Sequence, residues 1–268
     1  MTKIIAEIGW NHMGDMNLAK KMIASASASG ADIVKFQTWK VKNLKAGPWD
    51  SDGRRQIYEK AELTENNHYE LYNEAKNCGV SFLTSLFDIS EVDFISSVSN
   101  NMIKIPSPEA TNHELISKVS KKFKEVLISV GATNWNEIKK LTQYSKFTDL
   151  TILHCVSAYP CNADKINLPR IKILKSIHNQ VGYSGHLNGI NDAIAAISLN
   201  LRYVEKHFTI DNSLPGRDNK FAILPKDLKI LSSYRDTYKL MSINHGSDSQ
   251  PEEKEVAEVY RGRWSKNI

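Results

Sequence analysis

"YVEKHFTIDNSLPGRDN", residues 203–219, opens on a short apolar lead-in that delivers Glu205 and His207, then enters a loop holding Pro215, Gly216, Arg217 and Asp218. At a strand's period of two, Glu205 and His207 point to one side and Lys206 to the other. A carboxylate and an imidazole side by side at a strand's end have the form of a site. A single E-x-H is more often a satisfied histidine beside a solvated glutamate, so the rest of the chain has to decide.

The same form recurs along the chain. "KIIAEIG" (3–9), "DIVKFQT" (32–38), "SFLTSLF" (81–87), "MIKIPS" (102–107), "EVLISVG" (125–131), "LTILHCVS" (150–157) and "QVGYSGH" (180–186) are short, apolar and β-branched, as is "RYVEKHF" (202–208). Segments of helical spacing lie between them, among them 17–30, 66–79 and 134–146. Gly30 and Gly79 fit just past helix ends, Asn188 or Asn191 is placed to cap the helix around "DAIAAISL", and a last helix is expected over 224–241. Eight strands, each followed by a helix, predict a (β/α)8 TIM barrel over 1–242, with 243–268 as a linker or extension. The rival, a doubly wound open sheet, lacks its glycine-rich fingerprint here. The longest interruption, 39–63, carries Trp39 and Trp49 and reads as a packed functional loop.

In such a barrel chemistry sits at the C-terminal strand ends. Those ends carry Glu7; Lys35 and Gln37; Ser85; Lys104 and Ser107; Ser129; His154; Ser184 and His186; and Glu205 and His207. Strands covered on both faces should be nearly apolar, because an unpaired buried charge costs several kcal/mol. One intrusion means little, whereas eight converging intrusions make a site. Lys35 and Lys104 suit phosphate or carboxylate, and the four serines suit an oxyanion pocket. His186 and His207 form a candidate pair of ligands for a divalent metal, and His12 is a further candidate site residue. His154 either ligates or packs.

Composition restricts the class of protein. The 268 residues are 41% hydrophobic and 24% charged, enough for a substantial core. A net charge of +5 is too diffuse to argue for nucleic acid. Cys78, Cys155 and Cys161 form no C-x-x-C pair, which points to a reducing cytoplasm. No apolar run approaches membrane-spanning length.

Taken together, "AEIGWNHMG", "VKFQT", "IKIPSPE", "LHCVSAYP", "VGYSGH", "VEKHFT" and "LPGRD" resemble the sialic acid synthase family. The resemblance spans roughly residues 3–218 and implies condensation of phosphoenolpyruvate with an N-acetylhexosamine-type aldose to a nonulosonic acid, with release of phosphate. It implies that Lys35 and Lys104 hold phosphoenolpyruvate, with Ser85, Ser107, Ser129 and Ser184 around its phosphate and carboxylate. His186 and His207 would ligate a manganese-like ion, with magnesium or cobalt as substitutes. Gln37, Glu109, Tyr159 and Asp218 would face the sugar, Phe87 would pack in the pocket, and Lys104 would join Glu7 and Glu205 as catalytic groups. Glu7 and Glu205 are equal candidates for handling the water or proton.

The departures from the family pattern are local. Ser85-Leu86 replaces Thr-Pro, Gly185 replaces an aspartate before His186, and Asn219 replaces a histidine. The chain stops about where a linker to a small antifreeze-like domain would begin, and that domain is the one the family uses in swapped homodimers. The competing readings are a synthase for a phosphorylated sugar, using Lys42, Lys45, Arg54 and Arg55; a Schiff-base aldolase using Lys104 or Lys35; and a non-catalytic sugar-binding barrel.

Overall fold

Each apolar run forms a strand: β1 (Lys3–Gly9), β2 (Ile33–Thr38), β3 (Ser81–Leu86), β4 (Met102–Ile105), β5 (Glu125–Ser129), β6 (Asp149–Cys155), β7 (Val181–Gly185) and β8 (Tyr203–His207). The structure, a computed structural model, describes residues 1–264. The strands pair in chain order, all parallel, and β8 closes on β1. The expected (β/α)8 barrel is therefore the fold.

Among the described residues nine α-helices surround the strands. They are α1 (Met16–Ala28), α2 (Arg54–Ala61), α3 (Glu65–Asn77), α4 (Val92–Val98), α5 (His113–Lys122), α6 (Trp135–Leu141), α7 (Pro169–Lys175), α8 (Asn191–Ser198) and α9 (Pro225–Met241). Helix α2 is the extra one and belongs to the 39–63 connection, so that loop carries its own structure. Local chemistry explains most ends. Asp15 accepts from the amides of Asn17 and Leu18 to start α1, and Gly30 and Gly79 take positive φ just past α1 and α3. One expectation fails: neither Asn188 nor Asn191 caps α8. Ile190 occupies the cap position with no side-chain hydrogen bond, and Asn191 is already the first helical residue.

Strand parity divides the core in two. Residues facing outward pack against the helices in one continuous cluster that includes Val34, Phe36, Ile103, Ile128, Ile152 and Val204. Residues facing inward begin as an apolar tier of Ile5, Ile33, Leu83, Leu127, Leu153 and Tyr203, each 1% exposed or less. Fully burying each such side chain contributes roughly 1.5–3 kcal/mol. Above that tier the inward positions turn polar, and the register sets Glu7 beside Lys35, Ser85 beside Lys104, and Ser184 beside Glu205. Beyond α9 the chain runs exposed to residue 264. No helix among the described residues is long and apolar enough to cross a membrane.

Candidate active site

The polar tier is a buried ion network at the C-terminal mouth of the barrel. Lys104 donates to Glu205 Oε1 at 2.6 Å, and Ser184 donates to the same oxygen at 2.9 Å. Lys35 donates to Ser85 at 2.8 Å and lies 3.7 Å from Glu205 Oε1. Gln37 donates to Glu7 Oε1 at 2.6 Å. Lys35 also pairs with Glu7 Oε2 at 2.7 Å. The four charged groups are each 4% exposed or less. Two cations against two anions make the burial tolerable, since an unpaired member would cost several kcal/mol. Glu205 Oε2 and the Ser129 hydroxyl, both buried, have no hydrogen-bond partner and leave polar capacity for a ligand.

The two carboxyls are chemically alike but held differently. Burial raises the Glu7 carboxyl against the pull of Lys35, and neighbouring Glu205 adds to the rise. Burial acts the same way on Glu205, but Lys104 and Lys35 together outweigh it and hold that carboxyl down at about 2. The Lys104 ammonium is lowered by burial, against the opposing field of Glu205. A site whose two carboxyls are pushed apart separates a proton carrier from a fixed charge.

Beside this network the His186 and His207 rings lie 5.4 Å apart. Burial lowers both to about 3, helped by His207 at His186 and by Lys35 at His207, so both are neutral, the ligating form. His186 Nδ1 lies 2.9 Å from the Val156 carbonyl. A carbonyl only accepts, so the proton sits on Nδ1 and Nε2 keeps its lone pair. His207 Nδ1 is buried without a hydrogen-bond partner, 3.6 Å from Asp218 Oδ2. This donor set fits a divalent ion with two protein nitrogens and open positions for water or substrate. Among the described residues no group of three or more His, Cys, Asp or Glu gathers at metal-binding spacing.

The rim is half-exposed. Tyr159 packs its ring 4.2 Å from that of His186, and Arg217 lies over the other side of the phenol at 5.0 Å. Asp218 accepts from the Trp10 indole at 2.7 Å. Ser107 accepts from the Gly131 amide at 3.1 Å, in the turn after β4 rather than on the strand. Glu109 is held within the same turn by Asn112. Phe87 lies edge-on to Trp39, which meets Tyr58, which in turn meets Trp10, so the 39–63 connection walls one side of the mouth. Sequence reasoning passed over Trp10 and Tyr58, because nothing local to either shows what it touches.

The structure settles four readings that the sequence left open or incomplete. His154 turns to the helix side with Tyr183, gives Nε2 to the Ile166 carbonyl at 2.8 Å, and so packs rather than ligates. Its parity opposite the inward Leu153 and Cys155 was the available signal. His12 accepts the Gly14 amide at 3.1 Å and stacks toward Phe36, as a structural residue of its own turn. Gly185 does not leave its neighbourhood empty. A Cβ there would meet Asp192 Oδ2 at 2.2 Å, because the α8 carboxylate occupies that space, bonded to Lys206 at 3.0 Å and to the Tyr183 hydroxyl at 2.9 Å. Asn219 likewise works in its new identity, joining Thr209, the Asn11 carbonyl and the Pro215 carbonyl in the loop after β8. Two surface cavities, of about 360 and 210 Å³, lie elsewhere and include none of these residues.

Known proteins resemble this chain. Residues 22–245 match the model of the NeuB family. A protein named N,N'-diacetyllegionaminic acid synthase, from Campylobacter jejuni, is 37% identical over 95% of this chain and 82% of its own. N-acetylneuraminate-9-phosphate synthase of Drosophila melanogaster is 32% identical over 90% of this chain and 68% of its own. The crystal structure of N-acetylneuraminic acid synthetase from Leptospira borgpetersenii, in complex with citrate, superposes with a TM-score of 0.86 at 27% identity, covering 97% of this chain and 93% of that one. The barrel, its polar mouth and these relatives together place the chain in the NeuB family.

Proposed function

We propose that the barrel condenses phosphoenolpyruvate with the open-chain aldehyde of an N-acylated amino sugar, giving a nonulosonic acid and phosphate. The observation that carries this reading is the convergence of Lys35 and Lys104 with the neutral His186 and His207 in one buried mouth. Lys35, Lys104 and the serines Ser85, Ser107, Ser129 and Ser184 bind the anion, and donors fixed in advance stabilise developing charge without reorganisation. The unpartnered Ser129 hydroxyl can donate to that anion, whereas Glu205 Oε2, an acceptor only, suits an O–H of the sugar or the attacking water.

His186 and His207 would hold the divalent ion, manganese by preference, which when bound supplies Lewis-acid polarisation of the aldehyde. Glu7 moves the proton. It gives it to the aldehyde oxygen as carbon 3 of phosphoenolpyruvate bonds to the aldehyde carbon. It regains one from the water that adds to the cationic carbon 2; the adduct then collapses to the ketone as the bond from carbon 2 to the phosphate oxygen breaks, and the second water proton leaves on the phosphate. Burial raises its pKa above the ordinary carboxyl value, which lets it hold the proton it gives up. Glu205 stays ionised and orients Lys104 and Ser184. Gln37, Tyr159 and Asp218 face the sugar. An unphosphorylated acceptor is favoured because Arg54 and Arg55 are closed on Asp52 and Asp50 of their own loop. A phosphate-release assay with phosphoenolpyruvate, Mn2+ and a panel of free and phosphorylated amino sugars tests this. Sugar-dependent phosphate is expected. Its absence from folded protein that also fails to bind phosphoenolpyruvate defeats the reading.

A further inference from the structure

We propose that Arg217 is a specificity residue: it donates to an uncharged oxygen of the acceptor sugar, in a pair with Asp218 that favours a free sugar over a phosphorylated one. The proposal rests on the reading that the mouth takes an amino-sugar aldehyde beside the imidazole pair. Three observations on this loop carry it.

The first is position. The guanidinium lies 5.0 Å above the Tyr159 ring, whose other neighbours are His186 at 4.2 Å and His207 at 6.3 Å. A sugar reacting at the imidazoles therefore passes within reach of the arginine. The second is open capacity. Only Nε is engaged, 3.3 Å from Asp218 Oδ1, and the two terminal nitrogens have no hydrogen-bond partner among the described residues. The side chain is 56% exposed while Asp218 is 4% exposed, so the fork projects from a fixed base. Stacking on a phenol and pairing with a pinned carboxylate hold a planar cation in one orientation.

The third is charge. Asp218 is itself fixed by the Trp10 indole at 2.7 Å, so it cannot swing away when a ligand arrives. The Arg217–Asp218 pair is close to neutral, and a phosphate dianion placed there gains a cation but meets a carboxylate. A neutral acyl or hydroxyl oxygen gains the N–H donors without that opposition.

The test is steady-state kinetics at saturating phosphoenolpyruvate on an N-acetylated hexosamine and on its 6-phosphate, for wild type, Arg217→Ala and Arg217→Lys. Arg217→Ala is expected to raise KM for the free sugar about tenfold, the loss of one charge-assisted hydrogen bond. Its kcat should stay within about twofold, its KM for phosphoenolpyruvate should be unchanged, and its preference for free over phosphorylated sugar should rise, because Asp218 stays in place without its cation. Arg217→Lys should restore little, because a lysine lacks the planar fork. An unchanged acceptor KM in Arg217→Ala, or a fallen preference for the free sugar, overturns the proposal alone. So does a wild type that prefers the phosphorylated sugar. A wild type that releases phosphate with neither sugar overturns this inference, and one that releases none across the sugar panel and also fails to bind phosphoenolpyruvate overturns the proposed function with it.

Discussion

Lys104 and Glu205 meet at 2.6 Å with each 4% exposed, so neither can be altered without consequence for the other. Lys104→Met leaves two buried carboxyls to share Lys35 alone, and a loss of about 3–5 kcal/mol in stability is expected by urea denaturation. The Lys104→Met, Glu205→Gln double variant should recover most of it, and failure to recover would deny the coupling. Phosphoenolpyruvate should bind the single variant roughly 30-fold more weakly, by calorimetry. Glu7 gives a second prediction, with a definite sign. Its native pKa lies above the ordinary 4.5, so between those two values the native state keeps a proton the unfolded chain has released. Stability from this group therefore grows as pH falls through the native value and is lost as pH rises through it. Relative to wild type, Glu7→Gln should gain stability as the pH of a denaturation series rises from 4.5 to 8. A constant difference across that series would show that Glu7 does not titrate there. An incoming polyanion raises Glu7 further, so binding of phosphoenolpyruvate should take up protons. That uptake is read from calorimetry in buffers of different ionisation enthalpy, and Glu7→Gln should abolish it.

At the scale of elements, β7, β8 and α8 are locked together by Asp192, which receives Lys206 from β8 and the Tyr183 hydroxyl from β7. The histidines end those two strands, so the lock sets their separation. A Cβ at residue 185 would collide with Asp192 and with the Tyr183 ring. Gly185→Ala should cost about 1–3 kcal/mol in urea denaturation. Trimming the carboxylate as well, in Gly185→Ala with Asp192→Gly, should not relieve the loss, because Lys206 is then buried alone. Recovery in that double variant would mean that Asp192 only fills space. The sequence showed that an aspartate was missing before His186. It did not show that α8 returns one from seven residues later, because that depends on how the helix lies on the barrel. His154 fails differently. Its position on β6 alternates with Leu153 and Cys155, so parity alone assigns it to the helix side, and reading strand ends without parity drew it into the ring. The α8 cap failed because Asn191 lies one position inside the helix, and boundary residues are the least legible part of a pattern.

Over the whole molecule, the eight apolar runs were enough to predict the barrel, because a parallel closed sheet needs strands apolar on both faces. Their inward polar ends were enough to predict the mouth. The rim was much less legible, since Trp10, Tyr58 and Phe87 come together through a 25-residue connection whose path no local rule specifies. The two inward tiers separate stability from chemistry. Leu83→Ala, in the apolar tier, should cost about 2–5 kcal/mol while leaving KM for phosphoenolpyruvate unchanged below its melting transition. A large change in that KM would mean that the tiers are not independent. The central claim, that two lysines and two imidazoles serve one anion and one ion, is tested most directly by a crystal structure with Mn2+ and phosphoenolpyruvate. The account predicts the anion on Lys35 and Lys104 and the ion between His186 and His207. Anion or ion bound away from these four residues would contradict it.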